Sequence, residues 1–227
     1  MTGISGLPNG AANNIDNANF EGIHNRQDHP QSGDESVEQR QSGQEVTHVG
    51  GGIEIESVAS AEVLNNPLEG SKIFERSERV DDNLIRSSAP HYNSGGPRFD
   101  EVAINELISA GVTHVISFNE NEKPDVEALE KAGIKFSHFK TKDFTAPDIE
   151  NLKEAASLIS EGELTELYCG YGHGRTGTAV TAYQIYNGDI KTEAQLDQKM
   201  SDNHVETSAQ KAVLKELLEQ RLNGAWK

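Results

Sequence analysis

Tyr168-Cys169-Gly170-Tyr171-Gly172-His173-Gly174-Arg175-Thr176-Gly177-Thr178 is the stretch that decides the fold. It holds the only cysteine of a 227-residue chain. An apolar run, Leu164 to Tyr168, leads into it, and a helix-compatible run, Thr178 to Tyr186, leads out. The order is therefore strand, glycine-rich loop, helix. Glycines at 170, 172 and 174 let successive backbone N–H groups turn inward without a Cβ in the way. The following helix adds partial positive charge at its N-terminus. Such a cradle suits a tetrahedral oxyanion, and Arg175 adds a planar fork able to grip two of its oxygens. Cys169, at the cradle floor, is expected to sit in that positive potential, which favours a thiolate below the free-thiol pKa of about 8.5. A thiolate beneath a bound phosphate is a nucleophile in line with phosphorus. A Walker A loop needs Lys near its end and a dinucleotide fingerprint needs a third glycine; neither is here. The remaining structural alternative is a glycine-rich turn around a buried, inert cysteine.

Outward from this loop, the patterning alternates strands and helices. Strands are predicted at Thr113 to Phe118 and Ile134 to Phe139, besides Leu164 to Tyr168, and Leu84 to Pro90 reads as a short strand running into a Pro-stopped turn. Helices are predicted over Phe99 to Ala110, Pro124 to Ala132, Pro147 to Ile159, Glu193 to Met200 and Ser208 to Leu222. Thr192 to Gln195 and Thr207 to Gln210 each read as a capping box. The implied fold is α/β, a central parallel or mixed sheet flanked by helices. Active sites of such folds lie at the carboxyl ends of the strands, which is where the Cys169 loop falls.

Residues 1–50 read as a disordered, acidic, polar tail, with Ile4, Leu7, Ile15, Phe20 and Ile23 scattered without period. Residues 51–70 read as a linker or docking segment, with apolar residues between Gly52 and Leu64, and residues 71–227 as the catalytic domain. One cysteine leaves no intramolecular disulfide and suits a reducing compartment. There is no basic start with an apolar core of a secretory signal and no apolar run of bilayer length. A cytoplasmic monomer is expected; the polar tail also fits the uncleaved leader of a secreted bacterial effector acting in a host cell. The net charge of −17, from 37 acidic and 20 basic residues, argues against nucleic acid or an anionic membrane as a partner.

Cys169, five residues, Arg175 and then Thr176-Gly177 resemble the signature loop of the protein tyrosine phosphatase superfamily. The resemblance implies that Cys169 becomes a phosphocysteine and that Arg175 holds the phosphate within the cradle of Gly170, Tyr171, Gly172, His173 and Gly174. It implies that the Thr176 hydroxyl helps the thiolate leave, and that no metal or cofactor is needed. One departure is Tyr168, where the family usually carries a histidine that tunes the thiolate. Leu84-Ile85-Arg86-Ser87-Ser88-Ala89-Pro90 is similar to the opening strand of small dual-specificity phosphatases, and Arg86 is read as a structural ion-pair partner.

Cleaving a phosphomonoester also needs an acid to protonate the departing oxygen, supplied by another loop at the same end of the sheet. Lys142-Asp143-Phe144-Thr145-Ala146-Pro147-Asp148 follows a predicted strand and resembles the Asp-Phe-x-x-Pro acid loop of small atypical dual-specificity phosphatases. Asp143 is the candidate acid. Asp148 is its rival, favoured instead as a first-turn carboxylate complementing a helix dipole. Val205-Glu206-Thr207-Ser208-Ala209-Gln210 resembles a further segment of those enzymes, so that Glu206 or Gln210 either places water or, for Gln210, caps its helix. The Asn119 to Glu122 turn is a candidate pocket border. The expected substrate is a phosphorylated protein or peptide. The alternatives are an inositol phosphate or other small phosphate, and a phosphate-binding module without turnover.

Overall fold

The computed structural model describes residues 65–121 and 125–226. In chain order the elements are β1 (Glu78–Arg79), β2 (Leu84–Ser88), α1 (Glu101–Ser109), β3 (Val112–Ser117), α2 (Val126–Lys131) and β4 (Lys135–His138). They continue with α3 (Ile149–Glu161), β5 (Leu164–Cys169), α4 (Gly174–Asn187), α5 (Glu193–Asp202) and α6 (Ser208–Leu222). The strands form one mixed sheet in the order β1-β2-β5-β3-β4. Only β1 runs antiparallel to its neighbour. The α/β class and the flanking helices expected from the sequence are present. The tail expected over residues 1–50 and the Gly52–Leu64 segment lie outside the described residues.

Strand alternation divides the core into two layers. On β5, Leu167 and Cys169 face the layer built from α3, α4, α5 and α6, with Leu152, Ile159, Val180, Leu214 and Leu217. Tyr168 faces the opposite layer, with Phe74, Ala103, Leu107 and Leu129. Being buried on both faces, β5 can end in a loop whose position both layers fix.

Local chemistry sets the element ends. Asp100, Asp125, Asp148, Thr192 and Thr207 cap α1, α2, α3, α5 and α6 with their side-chain oxygens. Thr207 and Gln210 complete a reciprocal capping box. The box expected at Thr192 is only half formed: Gln195 Nα donates to Thr192, but Gln195 Oε1 accepts from Lys191 instead.

Three differences from the sequence reading are physical. Helix α4 begins at Gly174, not Thr178, so Arg175 and Thr176 lie in its first turn. Two early glycines hide that turn from a propensity reading, but tertiary contact requires one of them: a Cβ on Gly177 would clash with the carbonyl oxygen of Asn203. The short β1 carries no apolar period and was not expected. Finally, Leu68, within the segment read as linker or docking, is buried in the core, and Asn66 Nδ2 donates to Ser77 O at 3.0 Å.

The Gly177 contact predicts that Gly177→Ala destabilises the domain by about 1–3 kcal/mol through overpacking against backbone. Thermal melting is expected to fall by roughly 5–10 °C; an unchanged melting temperature would contradict this packing.

Candidate active site

β5 ends at Cys169, which is 3 % exposed, and α4 starts five residues later. The Cys169 thiol donates toward His173 O at 3.8 Å. The loop between them is held by its carbonyls. Ala89 N donates to Cys169 O at 2.8 Å and Gly170 O at 2.9 Å. Arg76 Nε donates to Tyr171 O at 2.7 Å, and Arg86 Nη2 to Gly172 O at 2.7 Å. In a trans peptide the next residue's N–H points opposite to the carbonyl. Four consecutive braced carbonyls therefore turn the N–H groups of Gly170, Tyr171, Gly172 and His173 away from the braces. That is the arrangement an oxyanion cradle needs. Gly172 has φ +94°, and a Cβ there would meet Ser87 O at 2.7 Å, so only glycine fits.

Arg175 is the second component. Its Nη1 donates to Phe118 O at 3.2 Å and Thr141 O at 2.9 Å, carbonyls that follow β3 and β4. Its Nη2 meets Asp143 Oδ1 at 2.8 Å and lies 3.5 Å from where a Gly170 Cβ would be. The guanidinium is thus fixed in its plane and reaches over the loop. Asp143 comes from the β4–α3 connection and its side chain is 61 % exposed. Phe144 N donates to Asp143 Oδ1 at 3.1 Å, and Phe144 has φ +57°, an uncommon conformation for a non-glycine residue. Two segments distant in sequence, the turn at residue 143 and the loop and helix start at residues 169–175, therefore meet at the carboxyl ends of the strands.

The other expected residues separate by what they touch. Asp148 accepts from Glu150 N at 2.9 Å and caps α3, as read from the sequence. Thr176 is fully buried, and its hydroxyl has no hydrogen-bond partner among the described residues, so no bond joins it to Cys169. Tyr168 points to the far face, its ring 6.0 Å from that of Phe99. Nothing from position 168 therefore lies under the loop. The ion-pair role expected for Arg86 is corrected. Its hydrogen bonds go to two carbonyls, Gly172 O and, at 3.1 Å, Asn203 O. Burial pulls the Arg86 guanidinium below its ordinary pKa, against the raising influence of Glu78 and Cys169. Asn119 borders the pocket, its Oδ1 3.8 Å from a Cβ placed on Gly170. A Cβ on Gly174 would meet Glu206 Oε2, so the Glu206 carboxylate lies against the first residue of α4.

Three residues at the mouth, Arg76, Tyr92 and His204, were not singled out from the sequence. The Arg76 guanidinium lies 3.9 Å over the Tyr171 ring and 5.4 Å from that of Tyr92. Tyr92 and Tyr171 meet edge to face, and both are about 40 % exposed. Phe144 is exposed on the acid-loop side. His204 stacks on His173 at 4.2 Å. No sequence signal marks Arg76, Tyr92 or His204, because their only link to the loop is through space.

Carboxylate, loop and arginine in this chain order on a mixed α/β sheet fit a cysteine-based phosphatase domain. The chain matches the family model of the Swiss Army Knife protein DSP-PTPase phosphatase domain (PTP-SAK) over residues 96–223 and belongs to that family. It is thus an atypical dual-specificity phosphatase domain of the protein tyrosine phosphatase superfamily. Among solved structures it is similar to Tk-PTP in its active form, at 26 % identity and TM-score 0.52, covering 63 % of this chain and 97 % of that one. It is also similar in fold to PTPMT1 in complex with PI(5)P, at 20 % identity and TM-score 0.54, covering 66 % of this chain and 99 % of that one.

Proposed function

We propose that this domain hydrolyses phosphomonoesters on proteins through a phosphocysteine, with phosphotyrosine preferred over phosphoserine and phosphothreonine. The supporting observation is the convergence of Asp143 and Arg175, 2.8 Å apart, beside the braced Cys169 loop. In the first step the Cys169 thiolate forms an S–P bond. The ester P–O bond breaks, and the departing oxygen takes the proton of Asp143. In the second, water attacks phosphorus, Asp143 takes its proton, and the S–P bond breaks to return the thiolate. Arg175 and the loop N–H groups hold the three phosphoryl oxygens throughout. Thr176, one residue into α4, assists thiolate departure in this reading after turning its hydroxyl toward sulfur.

Exposed Tyr92, Tyr171 and Phe144 favour an aromatic leaving group, since flat rings pack edge to face or offset against one another. An inositol phosphate is the second reading, prompted by the PI(5)P bound to the PTPMT1 neighbour. Within this loop His173 is the only basic residue besides Arg175, which supports the protein reading. The enzyme is proposed to act as a monomer in a cytoplasm, its own or, after export, a host's.

The test compares wild type with Asp143→Asn over leaving groups of rising basicity. Asparagine keeps the shape and removes the proton. A modest loss is expected on p-nitrophenyl phosphate, a larger one on phosphotyrosine peptides and the largest on phosphoserine or phosphothreonine peptides. Each further tenfold corresponds to about 1.4 kcal/mol of transition-state stabilisation. The basic limb of the pH–rate profile is expected to flatten. Asp148→Asn is expected to do neither. Equal losses on all substrates would remove Asp143 from the acid role. A wild-type kcat/KM higher on phosphatidylinositol monophosphate than on every phosphopeptide would replace the protein reading with the inositol one.

A further inference from the structure

Gln210 lies at the first turn of α6, far in sequence from both catalytic loops, and is fully buried. Its amide is engaged at both ends. Oε1 accepts from Glu206 N at 3.0 Å and from Thr207 N at 3.1 Å, which fixes the side chain against its own helix. Nε2 then donates to Thr145 O at 3.1 Å, across to the loop that carries Asp143. Thr145 in turn closes the loop on itself, its N and Oγ1 both donating to Lys142 O, at 3.2 and 2.8 Å. Asp143 lies inside that closed turn, next to Phe144 with its left-handed backbone. The bond from Gln210 is thus a strut from the rigid α4–α6 layer to an otherwise exposed turn.

We propose that Gln210 is a positioning residue for the general acid: it holds the residue 142–145 turn, and through it the Asp143 carboxyl, at the leaving-group side of the Cys169 loop. This rests on the reading of Asp143 as the acid. It differs from placing water, because Gln210 acts through the turn that carries Asp143. It differs from capping alone, because the donor end of the amide leaves its own helix. Loss of the strut lets the turn sample positions in which the proton is misplaced. A displacement of an ångström at a reacting group is enough to cost a large factor in rate.

The experiment uses the full chain and two variants. Gln210→Met, close in volume, removes both cap and strut. Thr207→Ala removes the other half of the capping box and leaves the amide free to reach Thr145 O. Both are expected to lower the melting temperature by a few degrees. Only Gln210→Met is expected to lose rate in proportion to leaving-group basicity, under twofold on p-nitrophenyl phosphate and about tenfold on phosphotyrosine peptides. Combined with Asp143→Asn it is expected to add no further leaving-group dependence, since one function has already gone. Equal losses on all substrates, or the same pattern in Thr207→Ala, would each overturn the proposal. Should Gln210→Met fail to fold, Gln210→Asn, whose amide is too short to span both partners, carries the same expectation. If Asp143→Asn itself lacks leaving-group dependence, the acid assignment falls, and that result is read independently of any Gln210 variant.

Discussion

Cys169→Ser is expected to abolish turnover, by at least about a thousandfold, while leaving phosphate affinity within a few-fold of wild type. The two halves of this expectation come from different atoms. Turnover needs a nucleophile that is anionic near neutral pH, and a serine hydroxyl is not made so by backbone dipoles and arginines alone. Affinity comes from the loop N–H groups and Arg175, none of which the substitution removes. The bracing of the loop is also unchanged, because Ala89, Arg76 and Arg86 bind backbone carbonyls and not the thiol. Steady-state assays on p-nitrophenyl phosphate and calorimetric titration with inorganic phosphate read the two quantities separately. Residual activity above a few per cent of wild type would end the covalent mechanism. Loss of phosphate binding together with activity would mean that the cysteine holds the loop in shape.

Arg175→Lys is expected to cost about 100-fold or more in kcat/KM, near 2.7 kcal/mol, despite conserving charge. Arg175 uses one nitrogen to satisfy Phe118 O and Thr141 O and another to face Asp143 and the loop. A lysine ammonium reaching for the two carbonyls is drawn out of the phosphate's plane, and one reaching for phosphate abandons them. Because those carbonyls follow two different strands, the guanidinium also ties the acid loop to β3. The loss is therefore expected mostly in kcat, where geometry matters in the transition state, with a smaller rise in KM. A variant with near-normal kcat would reduce Arg175 to a point charge.

The local part of this site was legible in the sequence. Cys169 to Gly177 is one continuous loop and helix start, so residue type and spacing carry its chemistry directly. The same holds for the strand–helix alternation and for Asp148, whose capping role depends on its own next three residues. What was not legible lies across the sheet order β1-β2-β5-β3-β4, which brings β2 beside β5 though many residues separate them. Arg86 reads as an ion-pair partner because arginines usually are; only the fold places Gly172 O and Asn203 O at its tip. Arg76, on an irregular segment with φ +56°, gives no periodic signal, yet braces the same loop. Gln210 was recognisable as a cap from its spacing to Thr207, while its bond to Thr145 depends on how α6 packs beside the acid loop.

The contact between Asp143 and Arg175 has a further meaning. A carboxylate attached to the chain beside a guanidinium is a resident competitor, present at an effective concentration in the millimolar range or above. Chloride and free carboxylates, which offer the arginine no more than Asp143 does, gain little by displacing it. A phosphate dianion brings a second charge and oxygens for the backbone N–H groups as well, so it can take the guanidinium's edge. In the proposed reaction its arrival releases the carboxylate, and the phosphate's negative charge beside it favours uptake of the proton that Asp143 then gives to the departing oxygen. In that reaction one contact would act as a filter on entry and as a timer for the acid.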